Sequence, residues 1–288
     1  MAIRKILLPL TGTAAGQSAL DTAIMAARQW NARIHALHVR TDSRDVAPLA
    51  GEGLSGAMIQ DMMQATERES AERSNSVRKL FERTISAAGI VTERPTVLAN
   101  HPSAGFNVVT GREDDIVAQQ ARVSDLIVVP HPEASDEASS SDALHAVLFD
   151  SGRPVLIAPQ KAPTTLGTRI AVAWNGTAES AAAVLAVLPW LQQAAAIRIL
   201  SAAEYQRSGP PATELATYLA LHGVQVELAT FRPLDREVGA GMLAAAREFE
   251  ADMLTMGAYS HSRLRQLILG GVTRHVLEHA DLPVMMTR

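Results

Sequence analysis

The sequence predicts an α/β protein of two doubly wound parallel sheets, five strands each, laid in tandem. Three observations carry that expectation. Short apolar runs alternate with helical stretches along the chain, which calls for a parallel sheet covered by helices on both faces. The alternation runs through twice. The composition is aliphatic: 47% of the 288 residues are hydrophobic and 19% charged, with three Trp, three Tyr and five Phe. A chain of this length can bury one large core or two ordinary ones.

The repeat settles that choice. Residues 5–20 (KILLPLTGTAAGQSAL) align with 169–184 (RIAVAWNGTAESAAAV), matching Ile6 with Ile170, Gly12 with Gly176, Thr13 with Thr177, Ala14 with Ala178 and Ala19 with Ala183. Near the ends, 147–156 aligns with 276–285 through Val147/Val276, Leu148/Leu277, Pro154/Pro283 and Val155/Val284. Between these, 124–129 (SDLIVV) lies over 251–256 (ADMLTM). Alanine richness weakens any one alignment, but three in the same order define a repeat. The domains are read as 1–160 and 167–288, joined by a linker at 160–168 (QKAPTTLGT).

In the first copy the expected elements are strand 3–10, helix 14–29, strand 33–40, a helix near 58–88 and strand 90–98. A helix near 112–122, strand 125–130, helix 142–149 and strand 154–159 complete it. The long helix holds five acidic and five basic residues between Asp61 and Arg83, with Val77, Leu80, Phe81 and Ile85 as its apolar face. Pairs such as Glu69–Arg73 have the favourable i,i+4 polarity of a solvated surface. In the second copy 168–174 is a strand, and Thr177 caps a helix whose apolar residues are Ala181, Val184, Leu185, Leu188 and Leu191. Then follow strand 197–202, helix 212–222, strand 224–230, helix 237–250, strand 252–257, helix 272–279 and strand 283–287.

Composition also excludes functions. A formal charge of −4 gives no footprint for nucleic acid. No cysteine means no disulfide scaffold, thiolate zinc site, iron–sulfur cluster or thiol nucleophile. The apolar run 6–10 is too short for a secretory leader, and no stretch approaches the roughly 20 apolar residues of a membrane span. The cytoplasm is the expected compartment, and the sequon at Asn175-Gly176-Thr177 is idle there.

Ligands of such sheets bind beyond the carboxyl ends of the strands, where the winding reverses. The segment after the second copy's fourth strand is the most informative: Met256-Gly257-Ala258-Tyr259-Ser260-His261-Ser262-Arg263, running on to Gly270-Gly271-Val272-Thr273. Glycines there allow close backbone approach, and a helix N-terminus offers unpaired N–H groups to an anion. No Walker lysine motif occurs. Taken alone, Gly-Gly before a helix is more often just a cap than a phosphate site.

With these residues the chain resembles the universal stress protein family, whose five-stranded α/β domains are often fused in tandem. Its nucleotide-binding members carry Gly-x2-Gly-x9-Gly-[Ser/Thr] after the fourth strand. Gly257 and Gly270 match the first and third glycines, and Val272-Thr273 follows as in the family. Ser260 stands where the second glycine is expected, and Gly271 where Ser or Thr is. Asn175 replaces the family's acidic residue at the end of the first strand. The resemblance therefore implies an adenine-nucleotide (ATP) pocket in the second copy, formed by Asn175, Met256, Gly257, Ser260, Arg263, Gly270, Gly271, Val272 and Thr273. Any metal is expected to be the Mg2+ carried by the nucleotide. Affinity is expected to be weakened, since a serine forced to positive φ costs about 1–2 kcal/mol. Gly271 also gives up a hydroxyl donor, which Ser262, Thr273 or Arg263 replaces in part.

The first copy departs further. Pro130 sits where Gly257 lies, without an N–H to donate. The loop 133–142 (EASDEASSSD) is acidic, and Thr11 replaces the acidic residue, so this copy is expected not to bind. The resemblance implies pairing through the final strands, here within one chain as a pseudo-dimer, and leaves a homodimer of such chains open. The expected partners are the nucleotide and a regulatory protein, without nucleic acid or membrane. The implied role is nucleotide-linked stress regulation without turnover. Its rival is a tandem interaction protein with both pockets degenerate.

No catalytic residue stands out. His275-Val276-Leu277-Glu278-His279 matches H-x-x-E-H, yet no glutamate follows to complete a zinc site, and surface histidines late in a helix explain it. There is no G-x-S-x-G elbow, and the S-G-G-x-D-S loop of related adenine-nucleotide enzymes is absent from 11–16 and 175–180. Trp174 is expected in the core or as a cleft wall, and Met253, Met256, Met285 and Met286 as strand core.

Overall fold

A computed structural model describes residues 3–40, 42, 55–92, 100–132, 138–202, 209–258 and 271–288. The strands of the first copy are β1 (Lys5–Pro9), β2 (Arg33–Arg40), β3 (Val91–Thr92), β4 (Ser103–Thr110), β5 (Leu126–Val129) and β6 (Val155–Ile157). Those of the second are β7 (Arg169–Ala173), β8 (Ala196–Ala202), β9 (Glu227–Phe231), β10 (Met253–Gly257) and β11 (Val284–Thr287). The helices are α1 (Ala14–Trp30), α2 (Gly56–Ala87), α3 (Glu113–Ala121), α4 (Ala138–Asp150), α5 (Ala178–Leu191), α6 (Ala212–Leu221), α7 (Val238–Glu248) and α8 (Gly271–His279).

All eleven described strands form one sheet, in the order β3-β4-β2-β1-β5-β6-β11-β10-β7-β8-β9. Neighbours run parallel within each copy. The copies join through an antiparallel pair of final strands, with Val155 opposite Met286, Leu156 opposite Met285 and Ile157 opposite Val284. The pairing implied for a pseudo-dimer is thus made inside one chain.

Central strands are apolar throughout because each face has a helical layer to bury it. Ile6 and Leu8 join the core under α1, α2, α5 and α6, together with Leu20, Phe81, Trp190 and Leu219. Leu7, between them, joins the opposite core with Val117, Val147, Leu243 and Val276 from α3, α4, α7 and α8. Local polar contacts repeat with the sequence. Thr13 Oγ1 accepts from Gly16 N at 3.1 Å, and Thr177 Oγ1 from Ser180 N at 3.3 Å, capping α1 and α5. Asp125 accepts from the backbone N–H groups of Arg4 and Lys5, as Asp252 does from those of Thr168 and Arg169. The aspartates pin the starts of β1 and β7 to the entries of β5 and β10.

The first copy's third strand differs from the expectation. The strand beside β2 is β4, in a stretch where no element is expected, and Val91 and Thr92 of the expected 90–98 pair on its outer side. Residues 93–99 lie outside the described residues. Among its described residues the first copy thus shows six strands rather than five, β3 being a two-residue edge pair. Gly105 and Asn107 give β4 little strand signal, and the Arg33 guanidinium lies over Gly105, where a Cβ would stand 2.4 Å from Nη2 and displace it. Helix α4 also starts at Ala138, so the serine-rich stretch expected as loop is helical over its last five residues. The long helix matches its reading: Val77, Phe81 and Ile85 are buried, and Glu69 pairs with Arg73 at 3.2 Å. No described helix is long and apolar enough to cross a membrane.

His35 of β2 meets Asn107 of β4 at 3.0 Å, Nε2 facing Nδ2. Burial, then the charges of Lys5 and Arg33, lower its pKa to about 4. A group whose folded pKa is depressed takes up its proton more readily when unfolded, so stability falls as pH drops from about 6.5 toward 4. His35→Gln should flatten the melting temperature over that window. An unchanged slope would remove His35 as the cause.

Candidate functional site

The winding reverses in the second copy between β7 and β10, which places a crevice beyond their carboxyl ends. Three segments meet there. Asn175, half-buried two residues past β7, accepts on Oδ1 from Thr177 N at 3.2 Å and Thr177 Oγ1 at 2.9 Å. It thereby shapes the turn into α5, and its amide Nδ2 is the donor it can present to a ligand. Gly176 has φ +79°, which its turn requires.

The second segment is the entry to α6, which the sequence reading did not assign to the site. A Cβ on Gly209 would lie 2.1 Å from Gly176 O, and the buried Trp174 donates its indole N–H to Pro210 O at 2.9 Å. Gly209-Pro210 is therefore the wall of the crevice above the turn. Its signal in the sequence is Gly209-Pro210-Pro211, a breaker run before a helix.

The third segment is the end of β10. Gly257 leaves no room for a side chain, since a Cβ there would stand 2.6 Å from both Glu179 C and Ser180 N. Its φ is not in the left-handed region. The close approach that demands glycine is thus to the first turn of α5, and packing alone accounts for it. Met256 is 5% exposed and belongs to the core under α7 and α8. Glu179 places a carboxylate in the first turn of α5, where it occupies part of the helix field that an anion would use.

Gly271 opens α8, and a Cβ on it would meet no atom of the described residues within 4 Å. Val272 packs against the core and Thr273 is 5% exposed. The structure therefore brings Asn175 and Gly257 together around the first turn of α5, and sets Gly271, Val272 and Thr273 at the start of α8. Ser260, Arg263 and Gly270 lie in 259–270, outside the described residues. In the first copy, Pro130 is buried at the end of β5, and Val77 of α2 would lie 3.3 Å from a Cβ on Gly12.

Among the described residues, no group of three or more His, Asp or Glu is placed to hold a metal ion. The rings of His275 and His279 stack at 4.3 Å on α8, His279 Nδ1 donates to the His275 carbonyl, and Glu278 pairs with Arg274. Each of these groups is engaged within its own helix.

Comparison with known proteins agrees with this architecture. The universal stress protein family model matches residues 2–138 and again 167–288. A universal stress protein from Archaeoglobus fulgidus DSM 4304 superposes with a TM-score of 0.70 at 18% identity, covering 99% of this chain and 96% of that one. A functionally unknown protein from Pseudomonas aeruginosa PAO1 gives 0.56 at 17% identity, over 99% and 92% of the two chains. At these identities the likeness shows the fold. No curated protein matches the chain. Two family matches, one on each half of an eleven-stranded sheet, establish that the chain belongs to the universal stress protein family as a tandem member.

Proposed function

We propose that the second copy binds an adenine nucleotide, ATP with its Mg2+, and that the protein acts by sensing or partner binding rather than turnover. The observation that carries this reading is where the glycine segment starts and stops. It leaves β10 against the first turn of α5 and resumes as the first turn of α8. Both ends therefore lie at helix N-termini, where backbone N–H groups suit phosphate oxygens. Family membership and the spacing of Gly257 to Gly270 supply the adenine nucleotide as the ligand class. Asn175 faces the same crevice, while Pro130 stands at the matching place in the first copy.

The rival reading, an interaction protein with both pockets degenerate, draws on Gly257, which α5 explains without a ligand. Titration calorimetry with MgATP separates the two. We expect one weak site per chain. Gly271→Ser restores the hydroxyl, meets no atom of the described residues at its Cβ, and should tighten binding about tenfold, the effect of one hydrogen bond to a charged oxygen. No saturation at millimolar nucleotide by either protein would leave the rival.

A further inference from the structure

The repeat shows which part of Asn175 the fold does not use. Its counterpart in the first copy is Thr11, at the offset that sets Gly12 on Gly176 and Thr13 on Thr177. Thr11 Oγ1 meets Thr13 Oγ1 at 2.9 Å, and Thr13 Oγ1 accepts from Gly16 N at 3.1 Å. The second copy builds the same turn through Asn175 Oδ1, Thr177 Oγ1 and Ser180 N. One side-chain oxygen is therefore enough for the turn into the helix, and the Asn175 amide nitrogen is surplus to it.

The orientation of that amide is fixed. Thr177 N can only donate, so the Asn175 atom 3.2 Å from it is Oδ1 and not Nδ2. With Thr177 Oγ1 at 2.9 Å on the same atom, both lone pairs of Oδ1 are taken. Nδ2 carries two N–H donors, has no hydrogen-bond partner among the described residues, and is left to the crevice.

A nucleotide in this crevice sets its phosphates on the N–H groups that open α5 and α8. Asn175 lies on the β7 side, before the turn and beside the Gly209-Pro210 wall, where proline has no N–H to offer a phosphate. That side falls to the base. An asparagine that pairs with adenine uses both amide atoms, Oδ1 accepting from N6–H while Nδ2 donates to N7. Here the first half of that pair is spent on Thr177. Two donors on one nitrogen match the O6 and N7 acceptors that a 6-oxopurine carries on the same edge, as a lysine ammonium does.

We propose that Asn175 selects the base, so that the second copy binds a 6-oxopurine nucleotide, of the hypoxanthine or guanine class, more tightly than an adenine nucleotide. The selection rests on the nucleotide reading above and adds to it a choice of base. Titration calorimetry of the full chain with MgITP and MgATP tests it, since the two ligands differ only around the purine 6-position. MgITP should bind about tenfold tighter, the effect of one bidentate base contact. Asn175→Asp keeps one oxygen for Thr177 and offers the base an acceptor in place of the donor, so the ratio should fall to one or below. The ratio is the readout, because a carboxylate repels the phosphates of both ligands alike, and a melting curve checks that the turn holds. Equal affinities in the unaltered chain, or a ratio that Asn175→Asp leaves unchanged, would overturn selection by Asn175 and leave the nucleotide site standing. No saturation by either nucleotide at millimolar concentration would overturn the site and the selection together.

Discussion

Replacing Trp190 by alanine should destabilise the chain by about 3–5 kcal/mol, the range for deleting a fully buried large aromatic. Trp190 is wholly buried, meets Trp30 of the other copy edge to face at 5.6 Å, and covers Gly167 at the start of β7. Its indole nitrogen is buried with no hydrogen-bond partner among the described residues. Trp190→Phe should therefore cost much less, under about 1.5 kcal/mol, because the benzene part of the packing stays and an unpaired N–H is removed. Urea unfolding of both variants checks the pair. Equal losses would mean that the N–H matters or that the ring does not.

Gly257→Ala should cost about 1–3 kcal/mol by overpacking. The atoms it would strike are backbone, the Glu179 carbonyl carbon and the Ser180 nitrogen, which cannot rotate aside as a side chain can. Relief requires α5 to lift from the end of β10, moving the Thr177 turn and Asn175 with it. Any nucleotide affinity should fall in the same variant. Gly271→Ala, which meets no atom of the described residues, should leave stability level or raise it by up to about 1 kcal/mol, as alanine replaces glycine in a helix. Thermal melts of the two variants supply the contrast. A Gly257→Ala chain as stable as wild type would show that the turn gives way easily.

The architecture was legible because its cause is local and written twice. Parallel strands with two covered faces must be apolar throughout, and segments such as Leu126-Ile127-Val128-Val129 have no other good reading. The caps Thr13 and Thr177 fall where a β-strand becomes a helix, which the x-Gly-Thr-Ala pattern announced. What escaped was set by neighbours. β4 is a strand because β2, far earlier in the chain, offers it a full edge along all eight of its residues. Gly257 read as a ligand's glycine from its motif, yet the atoms that exclude a Cβ belong to α5, distant in sequence. The Gly209-Pro210 wall was hidden likewise, since a breaker run does not say which turn it will lie upon.

Joining β6 to β11 within one polypeptide has an evolutionary consequence. In a dimer of identical subunits, each substitution is expressed on both sides of the axis, so neither pocket can be altered alone. Fusion lifts that constraint. Each half here is encoded separately, yet the two are always made together and in equal number. One half can exchange Gly for Pro130 at a strand end and lengthen a helix, while the other keeps Gly257, at no loss of the shared seam. The tethered pair is an obligate heterodimer with a single gene's dosage.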